Sequence, residues 1–192
     1  MPAARGVARL VMALAGGLSA AGCGTDAGVP VVGGPVFNAL PPDPIPPVRE
    51  ARSLVGIPPC RLFTQRQLTT NRIDLPGHAE EAAGFAGCEW RDSAYTREIK
   101  IIPDPSNDVL HHAYANRAIF AVFEITQVAG HPAIRTKENV DGKSCDFRVA
   151  TAERQTFTLR FTSLRQGAEE PCGPAKALAV DVVGNLPPLK GR

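Results

Sequence analysis

Seven consecutive residues, Thr156-Phe157-Thr158-Leu159-Arg160-Phe161-Thr162, alternate polar and apolar without a break. A period of two over that length belongs to a strand that buries one face and wets the other. The fold must therefore contain a half-buried sheet. Cys145, Phe147 and Val149 alternate in the same way with Asp146 and Arg148, and the short polar connection between the two runs predicts a hairpin. Four more strands are predicted: residues 87–91, where Cys88 and Trp90 share one face, and residues 97–102, 123–128 and 132–137. Three helices are expected. One covers residues 61–71, after Pro58-Pro59-Cys60, with Leu62, Phe63 and Leu68 as its apolar positions. The second starts from the capping residues Ser106-Asn107-Asp108 and runs to about residue 119, and the third covers residues 173–183. In the third, Ala175, Leu178, Ala179, Val182 and Val183 form a stripe, closed by Gly184-Asn185 and Pro187. Helix, two strands, helix, four strands and helix describe an α+β domain, an antiparallel β-sheet of about six strands with helices packed on it.

The N-terminus sets the expected compartment. Arg5 and Arg9 precede an apolar run from Leu10 to about Gly22, and Ala20-Ala21-Gly22 leads into Cys23. A basic start, a short hydrophobic stretch and small residues before a cysteine are the marks of a lipoprotein signal peptide over residues 1–22. The run is too short for a membrane span, which needs about 20 apolar residues. Ala20 stands where leucine is preferred, a tolerated departure. Acylation of Cys23 would leave two or three chains on the mature N-terminus, and more than one chain makes a stable anchor. Residues 23–50 are rich in glycine and proline, with Pro41-Pro42, Pro44 and Pro46-Pro47 close together. They read as a flexible, disordered spacer whose proline part favours extended polyproline geometry. Residues 51–192 are expected as the extracytoplasmic domain, on the outer face of the cell membrane.

Charge excludes some partners. The chain has 21 Lys and Arg against 19 Asp and Glu, and removing Arg5 and Arg9 with the signal leaves the two signs equal. No basic block is present, so nothing points to nucleic acid. Of five cysteines, lipidation of Cys23 leaves Cys60, Cys88, Cys145 and Cys172. An even number in an exported domain reads as two disulfides. Zinc would want a close Cys-x-x-Cys or Cys/His cluster, whereas these four are 28, 57 and 27 residues apart. No metal or other cofactor is expected.

Several short motifs recur in a fixed order: Pro59-Cys60-Arg61-Leu62, Gly87-Cys88-Glu89-Trp90, Ala129-Gly130-His131-Pro132-Ala133, Ser144-Cys145-Asp146-Phe147-Arg148-Val149, and Pro171-Cys172-Gly173-Pro174-Ala175 followed by Asn185-Leu186-Pro187. In these the chain resembles the actinobacterial lipoproteins of the domain-of-unknown-function family 3558 over most of its exported part. The resemblance implies an envelope lipoprotein with no catalytic residues assigned. His131 stands where the family often has arginine or another polar residue, which argues against a special role for it. Four cysteines allow three pairings. Joining Cys60 to Cys88 and Cys145 to Cys172 closes loops worth roughly 3.5 kcal/mol each by chain entropy, and a Cys60–Cys172 bridge gains only about 1 kcal/mol more. The local pairing is favoured because each bridge would pin a helix start to a strand; Cys60–Cys172 with Cys88–Cys145 is the alternative.

Catalytic candidates are few. They are His78 with Glu80 and Glu81, the His111-His112 pair, and His131 beside Pro132. Glu80 and Glu81 lie in a polar, alanine-rich stretch and are expected to be solvated. Adjacent helical histidines point about 100° apart and cannot share one metal as an i, i+4 pair can. No Gly-x-Ser-x-Gly elbow, Ser-x-x-Lys motif or phosphate loop occurs. Trp90, Phe120, Phe123, Phe147, Phe157 and Phe161 are expected to fill the core. The sequence therefore points to a non-catalytic binding or scaffolding module for an envelope protein, glycan or lipid, with an extracytoplasmic hydrolase or metal-dependent enzyme as the alternative. An apolar groove between sheet and helices would favour the first; a pocket gathering two histidines and a carboxylate would favour the second.

Overall fold

The alternating strands pair into one antiparallel sheet. The computed structural model describes residues 44–82, 84–165 and 170–190. Its strands are β1 (His78–Ala82), β2 (Phe85–Arg91), β3 (Arg97–Asp104), β4 (Val122–Val128), β5 (His131–Lys137), β6 (Ser144–Ala152) and β7 (Gln155–Ser163), in the order β1-β2-β3-β7-β6-β5-β4. Two meanders, β1-β2-β3 and β4-β5-β6-β7, meet along the eight-pair ladder between β3 and β7. The sheet thus has seven strands rather than about six. The additional strand is β1, which carries His78, Glu80 and Glu81 and pairs with β2 in the register His78↔Glu89. It is an edge strand, held by one ladder.

One face of the sheet carries the main core. Cys88, Trp90, Ile99, Ile101, Phe157, Leu159, Phe161, Phe147 and Val149 are all buried there. Against them packs α3 (Cys172–Asn185), through Ala175, Leu178, Ala179, Val182 and Val183. The N-terminal helical region covers the other half of this face, and it is shorter than the expected span of residues 61–71. A 3-10 turn, Pro59–Arg61, comes first, and α1 (Gln65–Thr70) follows. Thr64 and Gln67 form a reciprocal capping box that starts the helix one turn later. The Phe63 and Trp90 rings then meet edge to face, with centroids 5.2 Å apart.

Both disulfides lie on this face and follow the local pairing, Cys60–Cys88 and Cys145–Cys172. The strand order accounts for it. Between β2 and β6 stand β3 and β7, so Cys88 and Cys145 are separated by three strand spacings, about 14 Å. A bridge allows no more than about 7 Å between Cα atoms.

The opposite face is polar along most of its length, and the described residues cover it at one end. There α2 (Val109–Ala115) places Leu110 and Ala113 on Ile134, with Tyr114, Phe123 and Ala150 around them. The helix stops at Ala115, and a 3-10 turn, Arg117–Ile119, continues to β4. The same small cluster contains Ile45. The packed body therefore reaches back into residues 44–50, within the span read above as spacer.

Candidate functional site

Around Ile45 the structure opens a groove of about 620 Å³. Its wall is apolar: Ile45, Pro46, Pro47 and Val48 on one side, Leu110, Ala150 and Ala152 on the other. Its rim carries Asp108, His111, Glu153 and Arg154. A carboxylate builds one side of that rim. Asp104, at the end of β3, is buried and accepts hydrogen bonds from Ser106 N, Ser106 Oγ, Asn107 N and Asn107 Nδ2. Burial alone would raise the pKa of this carboxyl; the donors outweigh it and hold it below the ordinary 3.8. The loop so tied delivers Asp108 to the N-cap of α2, where its side chain accepts from His111 N at 3.1 Å and touches His111 Nδ1. The β6–β7 turn builds the other side. Arg154 takes φ +57° there, a left-handed conformation uncommon for a side chain of its size, and its Nε donates to Ser106 O at 3.2 Å.

Beyond Pro46 and Pro47 lies a second groove of about 350 Å³, lined by Arg49, Glu50, Gln127, Ala129 and His131. His131 is only 3% exposed, and its Nδ1 donates to Ala150 O at 3.1 Å, which places a proton on Nδ1. Burial, first of all, pushes its pKa below 6.5, and the nearby Arg52 charge adds to this. The β4–β5 turn beside it uses Ala129 at φ +48° and Gly130 at φ +80°.

The sequence candidates do not converge on one place. His78 and Glu80 project onto the polar face of β1, across from Glu89 and Gly87. Glu80 is not solvated as expected: it pairs with Lys100 Nζ at 3.3 Å, and Lys100 also holds Glu89 at 2.7 Å. Glu81 is exposed. His111 and His112 are both exposed; His111 faces Asp108, while His112 Nε2 lies 3.4 Å from Asn116 Nδ2. His131 belongs to the other groove. Among the described residues no group of three His, Cys, Asp or Glu side chains could hold a metal ion, and no helix is long and apolar enough to cross a membrane. Trp90, Phe147, Phe157 and Phe161 fill the core as expected. Phe123 packs against the smaller cluster on the opposite face, and Phe120 stacks on it there, 6.2 Å away, with the Arg148 guanidinium 5.1 Å above the Phe120 ring. Cys23 and the signal segment lie outside the described residues.

Sequence reading missed the groove because its wall comes from the spacer. Ile45 and Val48 stand among prolines without a strand or helix period; two aliphatic side chains in that stretch were the available signal.

No curated protein and no solved structure matches the chain. A family model described as "Protein of unknown function (DUF3558)" matches residues 18–185. That span takes in Cys23, both disulfides, the seven strands and the residues of both grooves, and the chain belongs to this family of unknown function.

Proposed function

We propose that this protein is a lipid-anchored lipoprotein of the cell envelope, tethered through Cys23 on the extracytoplasmic face of the membrane, whose domain binds an amphipathic ligand and does not transform it. The observation that carries the reading is the groove of about 620 Å³, with an apolar wall and a rim of both charge signs. Ligand sites combine these features: apolar walls contribute affinity, and a few placed polar groups set orientation. An acyl or prenyl tail would lie over Leu110 and Ala150, with its polar head among Arg154, Asp108 and Glu153. A ligand of that kind is abundant where a lipidated protein resides.

Native mass spectrometry on the full-length protein, extracted from its own envelope, tests this. A copurifying lipid or glycolipid, lost in an Ala150→Trp variant that keeps its circular dichroism spectrum, is the expected result. Bare protein in both forms would overturn the reading in favour of a protein partner. A second reading, an extracytoplasmic hydrolase, draws on the Asp108–His111 contact at the rim. It requires turnover of a bound ester or amide that His111→Gln abolishes.

A further inference from the structure

Residues 44–48 read Pro-Ile-Pro-Pro-Val. Ile45 is buried, Val48 is half-buried and the three prolines are exposed. The Ile45 side chain rests on Leu110, Ala113 and Ile134, a cluster separate from the main core. Pro46 and Pro47 line both grooves, so this pair is the partition between them. Three of the five residues have no N–H and a fixed φ. Such a segment cannot be laced into a sheet as a strand and is locally stiff, with Ile45 the residue it buries in the cluster.

We propose that residues 44–48 are a displaceable strap. The apolar tail of an amphiphile takes the place of Ile45 on Leu110, Ala113 and Ile134, the partition leaves, and the two grooves become one trough. Strap docking and ligand occupancy then exclude each other. The occupant is a single-chain amphiphile, because the buried side chains that cluster with Ile45, Leu110, Ala113 and Ile134, are aliphatic while both ends of the trough are polar: Arg154 and Asp108 at one, Arg49 and Glu50 at the other. This inference rests on the amphiphile reading given above and adds to it that the apparent affinity is lowered by the fraction of molecules in which the strap is docked.

The test is a fluorescence titration with 11-(dansylamino)undecanoic acid on the full-length chain carrying Cys23→Ser, with and without Ile45→Ala. Loosening the strap should tighten binding about tenfold. Saturating probe should also speed tryptic cleavage after Arg49, followed by mass. Weaker or unchanged binding by Ile45→Ala, or slower cleavage after Arg49 with probe bound, would overturn the strap and make Ile45 a fixed wall. Binding by the Ile45→Ala form alone would support it, with the wild-type strap latched. Absence of binding in both forms would remove the amphiphile reading itself, and the strap as a ligand gate with it.

Discussion

His131 shows how a single buried group couples this fold to pH. Its neutral ring donates to Ala150 O, and burial holds its pKa below 6.5. In the unfolded chain the same ring takes up a proton near its ordinary value. A group whose folded pKa is depressed contributes stability above its unfolded pKa and loses it as pH falls below that value. Urea unfolding should therefore show stability declining as pH falls below about 6.5. His131→Asn, which keeps an N–H donor at the position of Nδ1 and removes the titration, should flatten that decline; an unchanged pH profile would assign it to another group. Sequence alone did not reveal this role. A histidine beside a Gly and a Pro looks like a loop residue until the β4–β5 turn places it against β6.

The elements were legible in proportion to how much apolar surface they bury. Strands β6 and β7 alternate Phe, Leu and Val with polar residues because one face meets α3 while the other is mostly polar, with α2 over one end. Strand β1, His-Ala-Glu-Glu-Ala, buries no large apolar side chain, so its pattern carries no period-two signal. It is held by one ladder and by the Glu80–Lys100 contact. The capping box Thr64-x-x-Gln67 that opens α1 was visible in the sequence, but the prolines before Cys60 drew the expected start one turn too early. On the polar face, cross-strand register replaces hydrophobic contact. Asp146 on β6 accepts from Arg160 of β7 through Nε at 2.7 Å and Nη2 at 2.8 Å, and Arg148 lies 3.7 Å away. Asp146 is buried, whereas Glu138, the other partner of Arg160, is 69% exposed at its side chain. Asp146→Asn should leave two guanidinium groups facing each other without a full counter-charge and cost about 1–3 kcal/mol in chemical denaturation. Glu138→Gln should cost less than about 1 kcal/mol. Equal effects would mean that burial does not set the strength of this network.

At the scale of the whole molecule, the α+β class and the two disulfides follow from patterns that a sequence carries openly, whereas the groove depends on long-range assembly. Its wall comes from residues 44–48, its floor from α2 and β6, and its rim from the β6–β7 turn, so no local window contains it. The proposed anchor is the opposite case, confined to a few residues around Cys23. Cys23→Ala should move the protein from the detergent phase to the aqueous phase on partitioning and leave its melting temperature unchanged; retention in the detergent phase at the mass of the acylated form would overturn lipidation. The pairing of the cysteines has one more consequence. Each bridge joins neighbours in sequence, Cys60 with Cys88 and Cys145 with Cys172, and neither crosses the β3–β7 seam. A chain that enters an oxidising space through a pore, N-terminus first, presents each thiol and its proper partner before the next pair arrives. With export and acylation of Cys23 as proposed, oxidation of the remaining four thiols in order of emergence gives the native connectivity directly.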